Sequence, residues 1–367
     1  MRAVGLILAG GSTKRMQQLT DRRAAAAMPI ASSYRAIDFA LSNMTNSHIQ
    51  RVAVLTQYNA RSLNEHLNSS KWWDFGRKQG GLDVFTLTIA VDNGYWYRGT
   101  ADAIYQNLEF LKRCHEPYVI ITSADAVYKL NYNKVLEYHI AKKADITVVV
   151  KDMEPNEDVT RFGTVRMNES ARIEEFEEKP MVAKSHTIST GIYVIRRRQL
   201  IDLIEHSAEE ERYDFVNDIL IRYKNLKKIY GYKIHNYWSN ISTVDSYYKT
   251  NMDFLKSDVR NYFFKELPAV YSKVSDQPPA KYNPGAVVKN SLVGSGSIIN
   301  GTVENSVLFK KVFVGNNCVV KNSIILNDVY LGDNTYIENC IVESRDTIRA
   351  NTRHVGEEGV KVVVEKN

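Results

Sequence analysis

The C-terminal third of the chain carries a six-residue apolar repeat, which constrains the fold more than any other feature of the sequence. The step recurs without a miss at Val307, Phe313, Val319, Ile325, Leu331 and Ile337, and Val287, Val293 and Ile299 keep it in an earlier phase. An ordinary sheet alternates with a period of two, whereas a triangular β-coil places one apolar side chain on each face. The repeat therefore predicts a β-helix with one continuous stacked core.

Many acyltransferases use this kind of coil, with a histidine at the coil edge as the base. The one histidine in this region is His354, which the pattern places outside the regular repeat. The sequence therefore argues against acyl transfer.

The N-terminal half alternates short apolar runs with helical patterns, which is typical of a parallel sheet covered on both faces. The predicted strands are residues 4–8, 50–55, 84–89, 118–123 and 145–151, and the predicted helices are 60–67 and 99–112. Residues 161–195 read as an antiparallel extension with a second pocket, followed by a helix at 214–223 and a turn with a long helix within 238–255. We predict an α/β domain over 1–256, a linker over 257–285 and the β-helix over 286–367.

The first predicted strand ends in Ala9-Gly10-Gly11, a tight turn that exposes backbone N–H groups before a helix. Such a turn favours an anion, and Arg15 adds a cationic donor for a phosphate oxygen. Ligands of parallel sheets bind at the carboxyl ends of the strands, where this turn and Asp125 both fall.

Composition narrows the class of protein. The 367 residues carry a net charge of +6 spread along the chain, which favours a mildly basic surface over nucleic-acid binding. No apolar stretch approaches the roughly 18 residues of a membrane span. Cys114, Cys318 and Cys340 form no CxxC pair, which indicates reduced thiols in a cytoplasmic protein.

The stretch Tyr34-Arg35-Ala36-Ile37-Asp38-Phe39-Ala40-Leu41-Ser42-Asn43, together with the glycine turn, resembles the N-terminal signature of sugar-nucleotide pyrophosphorylases of the ADP-glucose branch. The resemblance implies a Rossmann-like nucleotidyltransferase domain with a mixed, mainly parallel sheet, followed by a left-handed parallel β-helix. It also implies nucleotide contacts from Leu8, Ala9, Gly10, Gly11 and Gly99. Two positions of this N-terminal region depart from the family pattern: Thr13 replaces a loop glycine, and Ala25 replaces the lysine of RAKPAV.

The family holds Mg²⁺ with two aspartates, and this chain keeps one of them. Asp125 stands in Ser123-Ala124-Asp125-Ala126-Val127-Tyr128, where the family has SGDHIY. Asn240 replaces the aspartate of GYWxDVGT, so the site loses half of its carboxylate charge. We expect Asp125, Asn240 and Arg15 to occupy the catalytic positions, with Mg²⁺ as cofactor if the chain is active and none otherwise.

The sugar-phosphate motifs are better preserved: Trp96-Tyr97-Arg98-Gly99-Thr100-Ala101-Asp102, Phe162-Gly163, Glu178-Lys179-Pro180 and Ser189-Thr190-Gly191-Ile192-Tyr193 match WYxGTADA, FG, EKP and SMGIY. The resemblance implies that Tyr97, Gly163, Glu178, Lys179 and Ser189 contact glucose 1-phosphate. Lys179 would bind the phosphate and Glu178 the sugar hydroxyls.

The departures from the family pattern fall on nucleotide and metal groups. In this respect the chain resembles the D-type regulatory subunits of bacterial glucose-1-phosphate adenylyltransferase, which serve glycogen synthesis. This resemblance implies a catalytic homologue as partner, a mixed tetramer, ATP and glucose 1-phosphate or a sugar-phosphate effector as ligands, and no nucleic acid or membrane partner. Two alternatives stay open: a competent pyrophosphorylase, and a sugar-phosphate-sensing scaffold. For the partner surface we predict Val307, Leu308, Phe309, Phe313 and Val314, and we expect truncation near Pro278 to abolish assembly while sparing the N-terminal domain.

Overall fold

The structure, a computed structural model, describes residues 2–10, 14–76, 80–86 and 96–365. They form an α/β region up to Phe264 and a coil of short parallel strands from Lys281. Within the described ranges, no helix is long and apolar enough to cross a membrane.

The α/β region is built from short strands and helices. Its strands are, in chain order, β1 (Ala3–Leu8), β2 (Pro29–Ile30), β3 (Tyr34–Arg35), β4 (Arg51–Thr56), β5 (Gly81–Thr86), β6 (Tyr118–Ser123), β7 (Ala126–Tyr128), β8 (Ile146–Asp152), β9 (Gly163–Met167), β10 (Ile173–Glu178), β11 (Thr187–Arg196), β12 (Ile229–Lys233) and β13 (Trp238–Asn240). Its α-helices are α1 (Ala36–Asn46), α2 (Arg61–Leu67), α3 (Thr100–Gln106), α4 (Leu108–Arg113), α5 (Tyr132–Ala141), α6 (Arg197–Glu209), α7 (Val244–Asp253) and α8 (Ser257–Phe264).

Nine strands form one mixed sheet in the order β10-β9-β11-β6-β1-β4-β5, with β8 pairing with β11 and β12 with β8. Strand β1 runs parallel to β4 and β6, whereas β11 runs antiparallel to β6 and β8. Leu6 and Ile7 on β1 enter different buried clusters on the two faces of the sheet. The prediction of a mixed α/β sheet covered on both faces is confirmed, and the carboxyl ends of β1 and β6 lie side by side.

Several predicted elements differ in detail. The predicted helix 99–112 is two helices that meet at Asn107, because the Asn107 side chain donates to the Ala103 carbonyl at 2.9 Å and competes with the helical backbone. The predicted helix 214–223 contains a π-helical turn over Val216–Ile221. Helix α7 begins where Thr243 and Ser246 form a capping box. The predicted strand 84–89 is observed as β5, and its last three residues lie outside the described ranges.

The C-terminal region is a parallel β-helix of three five-stranded parallel sheets, as predicted. Its strands are β14 (Lys281–Tyr282), β15 (Val287–Lys289), β16 (Leu292–Val293), β17 (Ile298–Ile299), β18 (Thr302–Glu304), β19 (Val307–Leu308), β20 (Phe313–Val314), β21 (Val319–Lys321), β22 (Ile324–Ile325), β23 (Tyr330–Leu331), β24 (Tyr336–Glu338), β25 (Cys340–Val342), β26 (Thr347–Ile348), β27 (Arg353–Val355) and β28 (Lys361–Val363).

The phase of the apolar repeat differs from the strict six-residue step. Val320 pairs with Val303 and Ile337, each 17 residues away, so a central coil is one residue shorter than three six-residue steps. The fully buried coil-core residues therefore follow steps of five, six and six: Val303, Leu308, Val314, Val320, Ile325, Leu331, Ile337, Val342 and Ile348. The predicted inward positions Val287, Val307, Phe313 and Val319 were wrong, because shorter coils move them out of the coil core; Val288 rather than Val287 packs against that core.

His354 was also misplaced by the sequence pattern. It pairs with Ile337 and thus continues an inward ladder at the last coil. Its Nε2 lies 3.5 Å from a Glu365 carboxylate oxygen, and burial lowers the pKa of His354. A half-buried histidine at this end closes the apolar stack.

The two regions share an apolar interface. Val307 and Phe309 of the coil belong to one buried cluster with Phe39, Phe254 and Phe263 of the α/β region. Polar contacts flank it: Arg23 Nη2 lies 2.5 Å from Glu343 Oε1, and the Tyr248 hydroxyl donates to the Asn322 carbonyl at 2.7 Å. The two sides are therefore packed as one body.

This interface corrects the predicted partner surface. Val307 and Phe309 are buried against the chain's own α/β region, and Leu308 and Val314 belong to the coil core. Phe313 alone of the five predicted residues faces outwards, where its ring stacks on Tyr330 at 4.7 Å.

Residues 257–285, predicted as linker, contain α8 and β14. The segment between them is fastened to the α/β region. The Tyr271 carbonyl accepts from Trp73 Nε1 at 3.1 Å, the Tyr271 N–H donates to Ser42 Oγ at 2.8 Å, and the Ala269 carbonyl accepts from Asn46 Nδ2 at 2.8 Å. These bonds fix the path of the chain between the two regions.

Candidate functional site

A cavity of about 530 Å³ opens where β1 and β6 end. Most of the predicted site residues line it: Leu8, Ala9, Arg15, Asp125, Gly163, Glu178, Lys179, Ser189 and Asn240. The parallel register of β1 and β6 explains why these residues lie together. It places Leu8 beside Ser123, so the loops that follow the two strands lie at the same edge of the sheet. The topology thus joins residues that are distant in sequence.

Four predicted residues are not among the lining residues of this cavity. Gly10 packs close to Gln57, and Gly99 is covered by the Tyr213 carbonyl, which a Cβ would approach to 2.3 Å. The Tyr97 hydroxyl accepts from Asn107 Nδ2 at 3.1 Å. Gly11 lies outside the described residues, as does Thr13.

The two predicted metal-ligand positions hold the carboxylate of Asp125 and the amide of Asn240, whose nitrogen and oxygen both make hydrogen bonds. Strand β13 pairs with β7, which sets Asn240 against Ala126 and beside Asp125. Asn240 Nδ2 donates to the Asp125 carbonyl at 3.2 Å, and Asn240 Oδ1 accepts from the Ser242 N–H at 2.9 Å. The Ser123 hydroxyl donates to Asp125 Oδ1. Both ends of the Asn240 side chain are therefore used by the backbone.

This donor set does not fit a two-carboxylate Mg²⁺ site. Mg²⁺ prefers near-octahedral oxygen ligands, usually one or two carboxylates together with substrate phosphates and waters. Asp125 offers one carboxylate that already accepts a hydrogen bond, and the Asn240 oxygen faces a backbone N–H. Across the part of the chain that the structure describes, no cluster of three metal-ligating acidic, histidine or cysteine side chains occurs.

Ala25 stands at the cavity wall where the resembled family has a lysine. It lies in a single 3₁₀ turn, Ala25–Ala27, and is 6% exposed. Because Ala25 is a lining residue, a lysine there would have projected its charge into the cavity. With alanine at this position, the cavity has one cation fewer than the resembled family would place there.

A strand pair positions two of the residues predicted to contact the sugar phosphate. Strands β9 and β10 place Gly163 opposite Glu178. A Cβ at Gly163 would come within 2.7 Å of the Phe176 ring and 2.9 Å of Glu178 Oε2, so only glycine fits here. Lys179 Nζ lies 3.2 Å from Glu178 Oε1. Burial raises the pKa of Glu178, and the neighbouring Lys179 charge opposes that shift.

The far wall of the cavity carries further hydroxyl groups. Ser189 Oγ lies 3.3 Å from the Tyr193 hydroxyl on β11. Burial raises the pKa of Tyr193, so this phenol stays protonated and can donate to a ligand. The wall therefore offers neutral hydrogen-bonding groups of the kind that sugar hydroxyls require.

Sequence reasoning missed Trp238 and Arg161 as site residues, although both line the cavity. Trp238 is 6% exposed, and its Nε1 has no hydrogen-bond partner in the described chain. Its ring meets Phe162 edge-on at 5.6 Å, and the Arg161 guanidinium lies over the Phe162 ring, 4.7 Å from its centroid. The sequence did carry a signal for both residues: Arg161 directly precedes the FG motif, and Trp238 lies in the stretch that matches GYW.

A second cavity, of about 630 Å³, lies between the two regions. Its lining is strongly cationic: Arg22, Arg23, Arg35, Arg61, Lys273, Lys310, Lys311 and Arg345 stand against Glu65 and Asp328. Burial lowers the pKa of Lys310, and the nearby charge of Arg35 acts in the same direction. Crowded positive charge of this kind attracts anions. The sequence did not reveal this cavity, because its residues come from both ends of the chain.

Comparisons with known proteins agree with this architecture. Residues 4–257 match the family described as "Nucleotidyl transferase", and residues 278–361 match "GlmU-like, C-terminal hexapeptide". The chain is 38% identical over 319 residues to a glucose-1-phosphate adenylyltransferase of Clostridium novyi, covering 86% of this chain and 83% of the relative. It is 40% identical to a protein of that name from Clostridium botulinum (86% and 82% covered) and 37% identical to one from Geobacillus stearothermophilus (87% and 83% covered).

Proposed function

The chain belongs to the glucose-1-phosphate adenylyltransferase family, and from this premise we propose that it is a regulatory subunit with little activity of its own. It binds glucose 1-phosphate or a related sugar phosphate, associates with a catalytic homologue and raises the rate at which that homologue makes ADP-glucose for glycogen synthesis. The observation that carries the proposal is Asn240, whose amide is held by two backbone bonds at a metal-ligand position.

Weak turnover follows from the charges of the cavity. Nucleotidyl transfer in this family typically uses Mg²⁺ to bridge the triphosphate, and cations stabilise the developing charge. Asn240 and Ala25 remove one carboxylate and one ammonium group from the sites that would do this. Each lost group of this kind typically costs about 10²–10³ in rate. We infer that Mg²⁺ binds weakly or not at all without a nucleotide.

Sugar-phosphate binding draws support from the opposite wall. Glu178, Lys179 and Ser189 line one cavity, and the unpartnered Trp238 Nε1 and the protonated Tyr193 supply donors. A buried donor without a partner costs free energy unless a ligand accepts from it. The preserved half of the site therefore binds ligand although the metal half is degraded.

The second cavity supports regulation by an anionic effector. Its cationic residues come from the α/β region, from the segment after α8 and from the coil. A sugar phosphate bound there would contact both regions and change how they pack. A ligand can shift a conformational equilibrium only through such differential contacts.

The competent pyrophosphorylase is the second candidate, and Asp125 and Arg15 in the cavity wall favour it. Binding and activity assays on the purified chain distinguish the regulatory subunit from the competent pyrophosphorylase. We expect glucose 1-phosphate to bind in calorimetry, and ADP-glucose formation with Mg²⁺ and ATP to run at least 10²-fold below a catalytic homologue. Lys179→Gln should abolish the binding, and Lys184→Gln, outside the cavity, should not. A specific activity within tenfold of the homologue would overturn the proposal.

A further inference from the structure

We propose that Lys129 is a positioning residue for the first cavity, because its buried ammonium group ties the strand pair behind that cavity to the end of helix α8. Lys129 is 6% exposed and directly follows β7. It is not one of the described residues that line the cavity, so it acts through its neighbours. The inference rests on the proposed function in taking glucose 1-phosphate as the ligand of the first cavity.

The ammonium group of Lys129 is held by the carboxyl end of α8. Its Nζ donates to the Tyr262 carbonyl at 2.5 Å and to the Glu266 carbonyl at 2.8 Å. Carbonyl groups at this end of a helix carry partial negative charge and stabilise a cation. Burial lowers the pKa of Lys129, and the Glu266 charge opposes that shift. Because a buried ammonium group without acceptors costs free energy, Lys129 and the end of α8 are expected to move together.

The backbone around Lys129 is fastened on the side of the first cavity. Asn43 Nδ2 donates to the Tyr128 carbonyl at 3.2 Å, and Asn43 Oδ1 accepts from the Leu130 N–H at 3.1 Å. Strand β7 ends at Tyr128, and Trp238 of β13 lies opposite it. Trp238 lines the cavity, so one strand pair joins Lys129 to the ligand-binding wall.

The other end of the tie belongs to the interface between the two regions. Phe263, in the last turn of α8, is fully buried in the cluster that contains Val307 and Phe309 of the coil. Lys129 Nζ lies 5.9 Å from the centroid of the Phe263 ring. Coil packing on α8 and ligand binding in the first cavity therefore share Lys129 as a contact. Energetic coupling between two such sites acts equally in both directions.

Hydrogen exchange of the full chain, read by mass spectrometry with saturating glucose 1-phosphate, tests the tie. In the parent, the ligand should slow exchange about twofold or more in β13 and also at residues 262–266. Lys129→Met should weaken glucose 1-phosphate binding about tenfold in calorimetry, because it removes charged hydrogen bonds. At saturating ligand it should keep the slowing at β13 and lose that at residues 262–266. Lys134→Met, at an exposed position of α5, is the control and should behave like the parent.

Slowed exchange at β13 with no change at residues 262–266 in the parent would overturn the proposal. This comparison needs no variant, so it decides even if Lys129→Met does not fold. Equal slowing at residues 262–266 in Lys129→Met would also overturn it, since a purely structural lysine changes the unfolding temperature but not this pattern. If the ligand slows exchange at neither place, sugar-phosphate binding fails together with the tie. Fast turnover in the rate assay would remove the regulatory role alone.

Discussion

Asn240 shows what a single amide changes in this site. The sequence showed an asparagine where the resembled family has an aspartate, but not the two hydrogen bonds that its amide makes with the backbone. An aspartate at this position could not donate to the Asp125 carbonyl and would set a negative charge against it. For Arg161 and Trp238 the sequence offered only their closeness to the FG and GYW motifs, because their packing around Phe162 depends on strands that are distant in the chain.

The double substitution Asn240→Asp with Ala25→Lys should restore activity. Asn240→Asp alone should lower stability by about 1 kcal/mol, since it breaks one hydrogen bond, and Ala25→Lys alone should do little. Together they should raise ADP-glucose formation about 10²-fold, because groups that act as a unit are not additive. Asn225→Asp, at an exposed position, is the control. If the rate stays unchanged even after Thr13→Gly is added, the defects lie elsewhere.

The raised pKa of Glu178 predicts how glucose 1-phosphate binding depends on pH. In the proposed site the carboxylate accepts from sugar hydroxyls, so affinity should fall as the pH drops through the raised pKa of Glu178, which lies above the usual value of 4.5. For stability the sign is opposite: the folded state takes up the proton more readily, so this group's contribution declines as the pH rises through that range. Calorimetry from pH 4 to 8 should compare the parent with Glu178→Gln. The ionisation of the ligand phosphate affects both proteins equally, so the difference between their pH profiles reports on Glu178. Identical pH profiles would contradict the assignment.

At the scale of elements, the coil was predictable from its period but not its phase. Residues with positive φ recur every 17 positions at its corners, for example Asn305, Asn322 and Asn339 at φ 46°, 45° and 52°. Asparagine adopts this left-handed conformation more readily than most residues, which suits it to these corners. A strict step of six overruns each 17-residue coil by one residue, and a slip of one residue exchanges inward and outward positions.

A matched pair of substitutions tests the phase. Val320→Asp buries a carboxylate in the coil core, where Val320 is fully buried, and should lower the free energy of unfolding by about 3 kcal/mol or more. Val319→Asp changes the neighbouring outward position and should cost less than about 1 kcal/mol. Thermal unfolding followed by circular dichroism measures both. If Val319→Asp lowered the free energy of unfolding more than Val320→Asp, the result would support the strict six-residue phase instead.

At the scale of the whole molecule, the apolar cluster between the two regions changes the earlier expectation for truncation. A fragment ending near Pro278 would expose Phe254 and Phe263, which pack with the coil. We therefore expect the fragment to be destabilised rather than simply monomeric. The sequence could not show this, because an apolar coil residue looks the same whether it faces its own core, another region or a partner.

Two phenylalanines separate folding from assembly in the full chain. Phe309→Asp should lower the unfolding temperature sharply, because Phe309 is 1% exposed within the interface between the regions. Phe313→Asp, on the outward face, should leave that temperature within a few degrees. We expect light scattering to show a homodimer or homotetramer for the parent and a smaller species for Phe313→Asp. A monomeric parent at micromolar concentration would contradict association through this face.

The central claim is that this chain acts through a catalytic homologue. The most direct test adds increasing amounts of the purified chain to a fixed amount of that homologue, with Mg²⁺, ATP and glucose 1-phosphate, and follows ADP-glucose formation. The account predicts a rate that rises well above the sum of the separate rates and saturates at a fixed subunit ratio. Rates that simply add at every ratio would contradict it.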